Sequence, residues 1–185
     1  RFMTPRQFVQ SYAALFSPEA IEAVGKPKFS SYDRARVERL PIGQVDRQFL
    51  LTGLPEDAAP FLSFGDGGYA SLPTAASIWS SAPQAFMAIG TNGCGDPLCL
   101  ELSTGAVVQL VHDHDFARVF VNSSIAQLAI SLYAYQRAVI CGGWGDCEAA
   151  IAASDPRALE TGAFWPVELA PWIKVPRTSW ERCSR

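Results

Sequence analysis

The chain has 185 residues, 49% of them hydrophobic and 18% charged, which supports one sizeable core and argues against disorder. Its 15 basic and 18 acidic side chains leave a net charge of −3, without the clustered basic surface of a nucleic-acid binder. Five cysteines, spread without a framework spacing, read as reduced thiols of a cytoplasmic protein.

The chain opens as helix: Thr4 and Pro5 are an N-cap and N1 pair, and Phe8, Val9, Tyr12, Leu15 and Phe16 recur at helical spacing. Ser17 and Pro18 repeat the start signal, so a short second helix is expected to about Val24, ended by Gly25 and Pro27. Residues 28–45 read as loop or short strand. Residues 49–55 (FLLTGLP) and 60–68 (PFLSFGDGG) read as strands closed by Pro55 and by Asp66-Gly67-Gly68. A loop over residues 71–84 carries Pro73 and Pro83. The charge-free stretch 67–95 is broken by Ser, Pro and Gly and does not make a membrane helix; no signal peptide is read ahead of it.

Four short apolar runs follow, at residues 85–90, 98–105, 106–113 and 117–122, each bounded by turn residues, and they predict an antiparallel meander. Residues 122–141 switch to helical spacing, with Ser124 and Gln127 as a capping box and Gly142-Gly143 as the stop. Asp146 and Asp155-Pro156 offer caps for two further short helices, and a tail with Trp165, Pro166 and Trp172 is expected to fold back onto the domain. The order of helices, strands and helices is an α+β arrangement. The expected organisation is a helical N-terminal segment over residues 1–35, an α+β domain over 36–175 and a tail over 176–185.

Residues 90–105, GTNGCGDPLCLELSTG, invite three chemical readings. A phosphate cradle fails, because Gly95 is followed by Asp96 and Pro97 rather than by Lys, Ser or Thr and a helix. A zinc site is suggested by Cys94, Cys99 and His112, whose spacing falls within that of a two-cysteine, two-histidine finger. His114 stands two residues beyond His112, too close for a finger, and the intervening residues read as a hairpin; on a strand, however, His112 and His114 share a face. The third reading is a plain turn between strands. A metal-dependent hydrolase centred on His112, Asp113, His114 and Asp115 is the enzymatic alternative, but these are the only two histidines in the chain and no second ligand cluster completes it. No G-x-S-x-G elbow is present. The residues imply no metal, no cofactor and no catalytic group.

The segments 53–66 (GLPEDAAPFLSFGD), 86–113 and 118–135 (RVFVNSSIAQLAISLYAY), in that order, resemble the SUKH superfamily with its SMI/KNR-like fold, most closely its fourth subfamily of bacterial immunity proteins. The Trp-Pro segment at 164–173 is similar to one near that subfamily's end, so the resemblance spans about residues 36–173. It implies a single α+β domain, a mostly antiparallel sheet packed by helices. It also implies a binding protein that neutralises a cognate toxin of nuclease or deaminase type by occlusion. A scaffold of the same fold with a host partner is the non-toxin alternative. On that reading the partner is a protein, not nucleic acid or membrane. The candidate partner-binding carboxylates are Asp66, Asp96, Asp113 and Asp115, which would complement a basic groove. His112 or His114 would add hydrogen bonds at that surface.

Overall fold

The computed structural model describes residues 3–173; the tail expected at 176–185, Trp180 included, lies outside them. Helix α1 (Pro5–Ala13) starts at Thr4, whose side chain accepts from the Gln7 amide while the Gln7 side chain returns to the Thr4 backbone. Phe8 and Tyr12 on its inner face are fully buried in the main core, so the N-terminal helix packs as part of the same body. Helix α2 (Pro18–Val24) follows, capped by Ser17.

Residues 28–45 hold more structure than their sequence suggests: β1 (Phe29–Ser30), α3 (Arg34–Val37) and the start of α4 (Gln44–Thr52). The strand expected at 49–55 is corrected here. Phe49 to Thr52 finish α4, and only β2 (Leu54–Pro55) is extended. A short apolar run satisfies helix and strand alike, and tertiary contact decides. Phe49 and Leu50 are both fully buried, and Asp46 on the same helix accepts at 2.9 Å from the Ala126 amide.

The main sheet is a six-stranded antiparallel meander in the order β3 (Asp57–Ala58), β4 (Leu62–Phe64), β5 (Phe86–Asn92), β6 (Pro97–Glu101), β7 (Val107–Val111), β8 (Ala117–Asn122). Alternation divides its side chains between two faces. Ile89, Leu98, Leu100 and Val107 enter the main core under the helices, whereas Phe86, Ala88, Cys99, Val108 and Leu110 join a smaller cluster on the other face. The residues between β4 and β5, with a one-turn helix α5 (Ala75–Ile78), cover that second cluster. β5 carries a bulge between Ala88 and Gly90. At the bulge the Ile89 carbonyl accepts from the buried Tyr32 hydroxyl at 2.7 Å and from the Gly65 amide at 3.1 Å, the latter continuing the β4–β5 register. Only glycine fits next to it, since a β-carbon at Gly90 would overlap the Ser63 carbonyl oxygen.

Helix α6 (Ile125–Cys141) crosses the inner face, with Ser124 accepting from the Gln127 amide as its spacing predicts. α7 (Trp144–Ser154) follows Gly143, and Asp146 falls inside its first turn rather than capping it. Asp155 stands at the N-cap of the 3-10 turn after it, but its side chain makes no bond to that turn. Its carboxylate accepts instead from the Ser123 amide at 2.6 Å, the Ser123 hydroxyl at 2.9 Å and the Asn122 side chain at 3.2 Å. The Trp-Pro segment forms α8 (Phe164–Ile173) and folds back as expected: Trp165 is fully buried, and its indole donates to the Asn122 carbonyl oxygen at 3.0 Å. Asn122 also donates to Ser131 at 3.1 Å.

This buried junction generates a test by urea unfolding. Asn122→Ala leaves the Trp165 indole unsatisfied and takes one donor from Asp155, so it is expected to cost about 3 kcal/mol. Trp165→Phe removes the indole donor and leaves a small cavity in the core, and is expected to cost about 2 to 3 kcal/mol. An Asn122→Ala chain as stable as the parent would show that the junction contributes nothing.

Candidate functional site

A meander sends alternate turns to opposite ends of the sheet. The β3–β4 turn (59–61), the β5–β6 turn (93–96) and the β7–β8 turn (112–116) therefore share one end. Direct contacts confirm it. A side chain at Gly93 would lie 3.1 Å from the Phe61 β-carbon, so glycine there lets the first two turns touch. Asp96 reaches across to His112 in the third.

The middle turn is shaped by Asn92, whose side-chain oxygen accepts from the Cys94 amide at 3.0 Å and the Asp96 amide at 2.9 Å. That geometry aims Asp96 inward, where it is 6% exposed. Its two oxygens accept from Asn92 at 3.1 Å, Gln109 at 2.7 Å, the His112 amide at 3.0 Å and the His112 Nδ1 at 2.6 Å. Burial works to raise this carboxyl, but the hydrogen bonds, led by the His112 amide, outweigh it and hold it below the usual carboxylate range. Asp96 is thus a brace between two turns, its oxygens already occupied by this chain's own donors.

The third turn is the exposed one. His112 faces Asp96 on one side, and its Nε2 lies 3.2 Å from the Asp113 carboxylate, whose side chain is 81% exposed. A hydrolytic triad would use that second nitrogen on a nucleophile; here it meets another carboxylate. Asp113, His114 and Asp115 are all exposed, and Asp115 and Phe116 hold left-handed backbones at φ 55°. Phe116 packs edge-on against Trp79, ring centres 6.4 Å apart, so Trp79 covers the second cluster.

The sequence-derived set therefore divides. Asp96, Asp113 and Asp115 gather at one end of the sheet. Asp66 follows β4 at the other, exposed and accepting from the Gly67 amide at 2.7 Å. The four residues weighed for zinc do not converge: Cys94 is exposed in its turn, while Cys99 is fully buried within the second cluster, where burial pushes its thiol up to about 12. Among the described residues no group of three or more His, Cys, Asp or Glu is arranged to hold a metal ion. The four cysteines within these residues are unpaired, and no helix among them is long and apolar enough to cross a membrane.

Sequence reasoning missed Phe61. It is 86% exposed and sits in the left-handed region at φ 55°, at the tip of the β3–β4 turn. An aromatic residue there loses both burial and backbone ease. The available signal was Pro60 directly before it, which punctuates a run that otherwise reads as one strand.

The Asp96 brace has a measurable pH signature. A carboxyl held below its unfolded value of about 3.9 stabilises the fold above that pH and loses this contribution as pH falls through the folded value. The parent's unfolding free energy is expected to fall steadily below about pH 4, with Glu101, held down by its Arg118 hydrogen bonds, adding to the loss. Asp96→Asn is expected to cost about 1 to 3 kcal/mol at neutral pH and to flatten this acid limb, measured by denaturant unfolding across pH. An acid limb of unchanged slope would remove Asp96 from the account.

Comparison with known proteins finds no matching curated protein and no matching solved structure. The model of the SUKH-4 immunity protein family matches residues 18–140, from α2 through nearly all of α6. The match takes in the whole meander and all three turns of the exposed end, and leaves α1, α7 and α8 outside it. An α+β body with an antiparallel meander, the ordered motifs that resemble this superfamily, and a match over about two thirds of the length lead to one assignment: the chain belongs to the SUKH-4 immunity protein family.

Proposed function

We propose that this immunity protein acts in the cytoplasm as a non-catalytic binder, occluding the active site or substrate channel of a secreted toxin of nuclease or deaminase type. The contact is the end of the sheet where the three turns meet. One observation supports this placement above the others: Phe61 stands 86% exposed in a left-handed backbone, at an end of the sheet whose three turns contain Asp113 and Asp115 but no Lys or Arg. An exposed aromatic ring at one edge of that end, with carboxylates at the other edge, suits an interface anchor with a charged rim. It complements a basic groove that offers an apolar recess.

Within this reading the four carboxylates have different parts. Asp113 and Asp115 meet the partner directly. Asp96 acts through the loop it braces, holding His112 and hence Asp113 in place. Asp66, at the far end, stays outside the contact. The hydrolase alternative is disfavoured by the pairing of both His112 nitrogens with carboxylates. The scaffold alternative differs only in the partner.

The test is co-expression with the toxin encoded beside this chain's gene, together with binding of the purified pair. The parent is expected to restore growth and to bind with a rate that falls as salt rises. Phe61→Ala is expected to weaken binding by about tenfold or more. Asp113→Arg combined with Asp115→Arg is expected to slow association and reduce its salt dependence. A parent that fails to protect refutes the toxin reading for that pair. Protection unaffected by either variant moves the contact to another face.

A further inference from the structure

Helix α6 departs from the pattern of an ordinary surface helix. Its inner face fills the core, yet its outer face carries Ile130, Tyr133 and Ile140, and Arg137 is the only charged side chain in its 17 residues. A helix that is apolar on every side belongs in an interior or an interface. Alongside this outer face runs a cavity of about 380 Å³, walled by α6 and the start of α7. Ala138 and Cys147 lie buried at its base. Arg137 and Asp146, of opposite charge, stand exposed at its lips. Neither makes an ion pair with the described residues.

We propose that this face is the contact between two copies of the chain, related by a two-fold axis that passes between Arg137 and Asp146 at the mouth of the cavity. A two-fold contact presents one patch twice, so the patch must be complementary to itself. Arg137 and Asp146 satisfy that condition, because the rotation sets each arginine against the aspartate of the other copy. The apolar walls of the two cavities, Ile130 and Tyr133 among them, then face one another and are withdrawn from water. Tyr133, Arg137 and Met3, all lining the cavity, are of types enriched at protein contacts. A single strongly charged partner would be served by lips of one sign; lips of both signs favour self-association. The inference does not depend on the toxin reading, since it concerns a helix face rather than the sheet end.

Sedimentation velocity on the full chain tests it, across about two decades of concentration over which mass action shifts a reversible dimer. The parent is expected to move from one chain mass toward two as concentration rises. Arg137→Glu is expected to weaken the dimer by about tenfold or more, because each contact then opposes two acids. Combining Arg137→Glu with Asp146→Arg restores opposite pairing and is expected to restore the dimer. That rescue also excludes misfolding as the cause of the single variant's loss. A parent that stays monomeric throughout overturns the proposal. So does a dimer indifferent to both reversals, or one that the double variant does not recover.

Discussion

A single buried carboxamide orients the helical layer. Asn122 ends β8 with no exposed surface, and its side chain meets Trp165, Ser131 and Asp155 at once. Burying so many polar groups is tolerable only if each finds a partner. That requirement places α8 and the 155 turn against the strand end and fixes where α6 begins. From there α6 runs back along the sheet to Gln136, which accepts from the Tyr12 hydroxyl at 3.0 Å and the Ala59 amide at 3.2 Å. The path from Asn122 through α6 thus reaches the β3–β4 turn that presents Phe61. A local hydrogen-bonding need at one end of the sheet therefore helps position the exposed ring at the other.

Asp155 and Asp96 show how two buried carboxylates can be used differently. Asp155, 1% exposed, takes neutral donors from Asn122 and Ser123 and joins elements of the frame. Asp96 also takes backbone and amide donors, but its remaining partner is the His112 ring, which leads straight to the surface at Asp113. One brace is wholly internal; the other passes its rigidity outward to a loop.

The strands of the meander were legible because tight turns punctuate them and alternation marks their faces. α6 was legible because its spacing and its Ser124–Gln127 start agree. α4 was not: Phe49, Leu50 and Leu51 near its end are an apolar run that reads equally as strand, and the helix is tied in place by Asp46 meeting the start of α6, far along the chain. The exposure of Asp113 and Asp115 could be read from the loop around them. The burial of Asp96 could not, since its decisive donors, Gln109 and His112, lie 13 and 16 residues away and become neighbours only after the hairpins pair. Phe61 escaped notice for the related reason that an apolar residue in an apolar run is expected inside. The stretch GTNGCGDPLCLELSTG became the end of β5, a turn and the whole of β6, in which Gly90 and Gly93 admit close neighbours, Gly95 and Gly105 hold positive φ, and Cys99 is filler in the second cluster.

If the proposed contact is the recognition surface, these contacts separate stability from recognition. The buried polar groups that specify the fold bond internally, Asn122 with Ser131 and Asp155 and Gln136 with Tyr12, and this set touches the exposed end at the Ala59 backbone amide. The side chains displayed there, Phe61, Asp113, His114 and Asp115, are exposed and add little to the core. Exchanging such groups changes stability by small amounts, while at an interface the same exchanges change affinity by orders of magnitude. Phe61 shows the asymmetry most plainly. Its ring gains nothing from folding, and its left-handed backbone costs about 1 kcal/mol, so the free chain alone gives no physical reason for an aromatic residue at that position. A partner that buries the ring does.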